Sequence, residues 1–201
     1  LQQLFQIVFT IILARLLDKS DFGLVAMAML INRFVTSCTN IGFGTAIIQS
    51  QTITTGQISA IFYIQLVLNI MLSIMVLAAS EIASIFFSEP ELIPIVQALS
   101  LLIFLNTFKF PTILLRKKLD LKQLTLVEVI SMVMSNLIAI YLAFSGFAVW
   151  ALVWKLIIHN FISGLLSFYF SNWFPTQPTF SGIKPLFNFG FNMSETNFKL
   201  E

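Results

Sequence analysis

LTLVEVISMVMSNLIAIYLAFSGFAVWALVWKLIIHNFISGLLSFYF, residues 124–170, decides the fold. It divides at Ser145-Gly146 into two apolar segments, 124–144 and 147–170. Each is long enough to supply the ~20 mostly apolar residues a helix needs to cross about 30 Å of hydrocarbon. So short a link makes the two helices antiparallel neighbours. The stretch reads as a transmembrane helical hairpin.

The same ruler, moved outward, predicts a partial first span at 1–17 and whole spans at 22–49, 58–87 and 92–115. The polar turn Asp18-Lys19-Ser20-Asp21 separates the first two, with Asp18 or Ser20 as the N-cap of the second helix. Ser88-Glu89-Pro90-Glu91 separates the next two, and Pro94 falls in the following helix's first turn, where proline is tolerated. A stretch at 171–186 with Pro175, Pro178 and Pro185 leads to an apolar segment that opens at 187 and stops at 201, short of a span. The expected architecture is an all-α, polytopic transmembrane helical bundle. It has a transmembrane lobe over 1–170, a cytoplasmic linker over 171–186 and the start of a seventh span over 187–201. The opening apolar stretch lacks the basic region and cleavage site of a signal peptide. The expected molecule is a piece of a longer protein, cut at both ends.

Composition agrees. Of 201 residues 58% are hydrophobic and 10% charged, and the mean hydropathy is +0.93. A soluble domain carries about a quarter of its residues as Asp, Glu, Lys or Arg, because its surface must be solvated. The net charge of +2, concentrated in one loop, does not form the basic stripe that nucleic acid requires. Cys38 is the only cysteine and sits in an apolar segment, where it reads as packing, so no disulfide or Cys-based metal site can form within the chain. Gly42-Phe43-Gly44 lacks the third glycine of a phosphate loop, one histidine cannot make a metal cluster, and no nucleophile–base pair has a recognisable spacing. No catalytic residue, metal or cofactor is expected, and the chain does not read as an enzyme. A membrane-embedded polymerase or ligase would display a large outer loop, whereas the outer links here are short.

Cations set the orientation. The link after the fourth span carries Arg116, Lys117, Lys118 and Lys122, against Glu89 and Glu91 beside Glu81 after the third. Cytoplasmic loops keep Lys and Arg, so the links after spans two, four and six are cytoplasmic. Trp150 and Trp173 flank the sixth span as expected interfacial anchors.

Polar residues inside the spans carry the functional reading, since a mid-membrane charge costs ~2.5–3.5 kcal/mol on insertion scales. Arg33 lies ~14 Å into the second span at 1.5 Å per residue. It shares a helical stripe with Ser37, Asn40 and Gly44. Gln65, Asn69 and Ser73, then Glu128, Ser131 and Ser135, then Lys155, His159 and Ser163 repeat the pattern. Such stripes either line a cavity or glue helices together through small residues and amides. Arg33 and Lys155 favour the cavity, because an intramembrane cation needs an anionic partner and acids are scarce. Lys109 fits cavity lining or snorkelling equally. His159 and Glu128 are candidates for ion coupling, His159 because it titrates near neutrality, with a purely structural role open for both. Pro111 is expected to kink the fourth span, and Gly42 and Gly44 mark possible bending.

Several strings then combine. Ala14-Arg15-Leu16-Leu17-Asp18-Lys19-Ser20-Asp21-Phe22-Gly23-Leu24, Asn40-Ile41-Gly42-Phe43-Gly44-Thr45-Ala46-Ile47-Ile48-Gln49, Leu114-Leu115-Arg116-Lys117-Lys118-Leu119, Gly146-Phe147-Ala148-Val149-Trp150-Ala151-Leu152 and Phe189-Gly190-Phe191-Asn192 resemble, in order, the Wzx-like oligosaccharide flippases of the polysaccharide transporter family. That family belongs to the multidrug/oligosaccharidyl-lipid/polysaccharide exporter superfamily. Asn40 stands where an Asp is often expected. The resemblance implies two six-helix lobes around a cavity that opens alternately to either side of a bacterial inner membrane. It implies a polyprenyl-pyrophosphate-linked oligosaccharide as substrate, in lipopolysaccharide or other surface polysaccharide biosynthesis. A polysaccharide polymerase or other assembly proteins are the implied partners. Arg33 and Lys155 would neutralise the pyrophosphate, with Asn40, Asn69 and His159 as further cavity residues. A drug or cation antiporter of the same superfamily is the alternative, and it should present buried acids. A purely structural subunit would pair Arg33 and Lys155 with acids of another chain.

Overall fold

The computed structural model describes residues 2–39, 44, 47–48, 50 and 53–181. The readings placed on Asn40, Gly42 and residues 182–201, including the opening of a seventh span, lie outside the described residues. Among the described residues the regular structure is helical: α1 Gln2–Leu16, α2 Lys19–Thr39, α3 Thr55–Ala78, α4 Ser80–Phe87, α5 Leu92–Asn106, a 3-10 turn Thr107–Lys109, α6 Pro111–Lys117, α7 Leu121–Phe144 and α8 Val149–Ser171. Four stretches are long and apolar enough to cross a membrane: α3, α5 with its 3-10 turn, α7 and α8. The chain is a multi-pass membrane protein.

Helix starts follow local capping. α3 begins before the apolar run because Thr54 and Gln57 form a capping box: the Thr54 hydroxyl accepts from the Gln57 N–H at 3.3 Å, and the Gln57 side-chain oxygen accepts from the Thr54 N–H at 3.1 Å. The Asp120 carboxylate accepts from the Gln123 N–H at 3.2 Å and starts α7 at Leu121. Ahead of α2, the Asp21 carboxylate accepts from the Asp18 N–H at 3.2 Å.

Two expected spans are interrupted, each for an identifiable reason. Between α3 and α4, the Ser80 hydroxyl donates to the Leu77 carbonyl at 2.9 Å and receives the Gln97 amide at 3.2 Å, drawing the chain toward α5. At Pro111 the expected kink is a change of helix type. Proline has no N–H to offer the Thr107 carbonyl, which instead accepts from the Phe110 N–H at 3.0 Å. The Thr112 hydroxyl takes the Lys109 carbonyl at 2.6 Å. The tightened turn thus leaves both carbonyls satisfied in a setting without water.

Packing is that of a protein whose solvent is lipid. Phe34, Ile85, Phe86 and Phe144 are exposed, whereas Ser59, Ser131, Ser163 and Ser167 are wholly buried. Lipid exerts no pull on apolar side chains to leave the surface, and small residues let helices approach. α5 is the hub: Leu92, Ile95, Val96, Leu99 and Ile103 are buried, and α5 meets α2, α3, α4 and α8. Polar side chains stitch it in place, Asn32 donating to the Leu99 carbonyl at 2.7 Å and Ser73 to the Ser100 carbonyl at 2.9 Å.

α7 and α8 form the expected hairpin and the most extensive helix pair. The link closes through the Gly146 N–H to the Ala143 carbonyl and the Phe147 N–H to the Leu142 carbonyl, both 3.1 Å. This cap needs a left-handed residue, and Gly146 has φ +81°. Farther along, α8 passes the 3-10 turn so closely that a Cβ on Gly164 would lie 2.8 Å from Phe108 Cβ.

Three links gather at one end. Lys117 Nζ donates to the Ser50 carbonyl at 2.8 Å. Beyond α8, the Thr179 N–H donates to the Gly56 carbonyl, and the Gln57 amide to the Ser181 carbonyl, both at 3.0 Å. Trp173, expected as a lipid-interface anchor, is instead partly buried against Phe62, Phe110 and Phe168 with ring separations of 5.5–6.3 Å. The strap that follows α8 folds back onto α3 and carries the indole inward.

Candidate substrate cavity

The helical phase of α7 and α8 builds the site. Glu128, Met132, Ser135 and Asn136 recur at spacings of three and four on α7, as do Lys155, Leu156 and His159 on α8, so each set occupies one helix face. The two faces meet Gln6 of α1 and Arg116 of α6 around a cavity of about 480 Å³. Pro111 starts the short α6 that brings Arg116 to this wall.

Within the cavity His159 Nε2 stands 3.7 Å from Glu128 Oε2, an ion pair whenever the imidazole is protonated. Arg116 and Lys155 against Glu128 leave an excess of one positive charge with His159 neutral. Asn136 is 1% exposed. Its amide nitrogen donates to the Met132 carbonyl at 2.7 Å. The opposite amide orientation would set two oxygens against each other, so the side-chain oxygen is the free atom. That oxygen is buried, with no partner among the described residues. A buried acceptor left open costs about 1–3 kcal/mol unless something donates to it. The arrangement offers two cations, Arg116 and Lys155, to an anionic molecule. Among the described residues no three His, Cys, Asp or Glu side chains converge as metal ligands would.

A second cavity, of about 280 Å³, lies between α2, α3 and the break in the fourth span. Thr36, Gln65, Asn69, Asn106, Lys109 and Thr112 line it with Phe110 and Ile113. Lys109 therefore faces a cavity, the first of its two sequence readings.

Of the residues singled out in the sequence, Lys155, His159 and Glu128 come together in the first cavity. Asn69 lines the second and gives its amide to the Thr107 hydroxyl at 2.9 Å. Arg33 lines neither. α2 buries Leu24, Val25, Ala28, Asn32 and Val35, which leaves Arg33 and Ser37 exposed on the other side of the helix. Gln6, Arg116 and Asn136 were not anticipated. Asn136 was legible as the residue two helical turns beyond Glu128. Arg116 carries two meanings, a topogenic loop charge and a cavity wall, and sequence separates them poorly.

Residues 12–199 match the model of a family described as polysaccharide biosynthesis protein. The chain belongs to this family. It is also similar to the succinoglycan biosynthesis transport protein ExoT of Rhizobium meliloti, at 26% identity over 157 residues, 77% of this chain and 32% of that protein. It is similar again to the lipopolysaccharide biosynthesis protein WzxC of Escherichia coli, at 26% identity over 90 residues, 45% of this chain and 18% of that protein. The chain thus spans about a third or less of the length of these relatives. No solved structure matches it.

Proposed function

We propose that this chain is the first lobe of a flippase. The whole protein would carry a lipid-linked oligosaccharide from the cytoplasmic to the outer leaflet of a bacterial inner membrane, by alternating access, for surface polysaccharide biosynthesis. The observation that carries the reading is the charged cavity among apolar helices, with Arg116, Lys155, Glu128 and His159 on its walls. A polyprenyl-diphosphate headgroup needs cations and donors in a low-dielectric passage. The names of the two relatives, one a transport protein and both of polysaccharide biosynthesis, support a transporter over an enzyme. An exporter of cations would need the opposite excess of charge. Arg33, exposed on α2, would meet the substrate from a passage shared with the rest of the protein, as Asn40 would farther along the same stripe. Residues 171–186 would then be the cytoplasmic link to the second lobe.

The test replaces Lys155 or Arg33 by Ala in the full-length protein, in cells lacking the wild-type copy. A charge-assisted hydrogen bond is worth about 1.5–3 kcal/mol, so repeat-unit export should fall about 10–150-fold while membrane insertion holds. Lipid-linked repeat units should accumulate on the cytoplasmic leaflet. Normal surface polysaccharide in both variants would reject the reading.

A further inference from the structure

We propose that the second cavity is a saccharide subsite that takes one sugar ring bearing a carboxylate. It deepens the transport reading and rests on it for how the sugar arrives, though not for whether the sugar binds. Gln65 and Asn106 present side-chain amides, and Lys109 its ammonium, that make no hydrogen bond or ion pair with the described residues. Each amide offers two donors and an acceptor, the complement of neighbouring sugar hydroxyls. Ile113, partly buried, supplies an apolar contact for a ring.

Charge narrows the ligand class further. Among the described residues lining this cavity, Lys109 is the sole ionisable side chain and none is an acid. Glu128 lies in the other cavity, against His159. The ammonium is therefore left for an anion carried by the ligand. Size narrows it as well: about 280 Å³ falls just under the range of roughly 300–1,000 Å³ that holds drug-sized ligands, which suits one ring rather than a whole repeat unit. Two subsites side by side would let the diphosphate sit against Arg116 and Lys155 while an acidic sugar engages Lys109.

The experiment measures binding of methyl glucuronide, methyl glucoside and glycerol 3-phosphate to the full-length protein in detergent by saturation-transfer NMR. The glucuronide should bind at least tenfold more tightly than the glucoside. Lys109→Gln should erase that preference, Lys109→Arg should keep it, and Asn106→Leu should weaken both sugars. Equal binding of the two sugars overturns the proposal, as does an unchanged preference in Lys109→Gln, or glycerol phosphate displacing the glucuronide as a lipid headgroup would. Lys155→Ala separates the two readings: it should lose export yet keep the glucuronide preference. Normal export in both Lys155→Ala and Arg33→Ala, with the preference intact, would defeat the transport reading and leave the sugar site standing.

Discussion

Replacing Gly164 by Ala tests whether the break at Pro111 is held in place by α8. The added Cβ would sit 2.8 Å from Phe108 Cβ and 3.4 Å from the Phe108 carbonyl carbon and oxygen. Ordinary contact begins at 3.4 Å, so the helix and the 3-10 turn must separate by about 0.6 Å at that point, 3.4 minus 2.8. A Cβ cannot swing away as a side-chain tip can, so the cost falls in the usual overpacking range of about 1–3 kcal/mol. Alanine also gains about 0.8–1.0 kcal/mol of helix propensity over glycine, and that gain has to be measured separately. Gly23 provides the reference, because a Cβ there meets nothing within 4 Å. In SDS-titration unfolding of the full-length protein, Gly23→Ala should be neutral to stabilising. Gly164→Ala should fall below it by about 1–3 kcal/mol. Phe108→Ala keeps the offending Cβ and should not rescue Gly164→Ala, whereas Phe108→Gly should, a coupling that a double-mutant cycle isolates. Equal stability of the two glycine variants, or equal rescue by Ala and Gly at position 108, would refute the argument.

Other perturbations follow from the same geometry. Gly56→Val drives a side chain into Thr179 and should release the strap over residues 172–181, read as faster proteolysis there and red-shifted Trp173 emission; an unchanged cleavage rate would count against the docked strap. Leu119 is exposed and left-handed at φ 55°, so Leu119→Asn should stabilise by up to about 1 kcal/mol; a loss of stability would show that the leucine has an unrecognised contact. Asn32→Leu removes the 2.7 Å bond to the Leu99 carbonyl and should cost about 0.6 kcal/mol, at most ~1.7; a cost beyond 3 kcal/mol would mean that Asn32 does more than join α2 to α5.

Span length and turn chemistry were readable from sequence because both are local. Ser145-Gly146 announced the α7–α8 hairpin, and its glycine is the left-handed cap that closes it. Pro111 announced an irregularity, although not that a 3-10 turn would absorb it. The breaks in the longer spans were less legible. Nothing in the run from Val76 to Ala83 marks Ala79, because the interruption depends on Ser80 meeting Gln97 across the bundle. Trp173 was misplaced for a similar reason, since the strap's return to α3 depends on Gly56 and Ser59, far away in the chain.

Arg33 and Lys155 looked equivalent in sequence, and the structure places them differently. In a soluble helix the apolar stripe reveals which way it faces. In lipid both faces are apolar, so the contrast that fixes helical phase is lost. α2 carries Asn32 and Arg33 side by side, and it is the amide that turns inward to Leu99. On α8, Lys155 shares its face with His159 and so meets Glu128 and Asn136 from α7. The better guide to a site within such a bundle is what each polar atom already touches. Asn32, Ser73 and Asn69 each give a hydrogen bond to a neighbouring element and act as glue. The Gln65 and Asn106 amides and the Lys109 ammonium have no such partner among the described residues. They converge on one cavity, and in a medium where an unmet polar group costs several kcal/mol, that convergence is what a hydrophilic cargo would require.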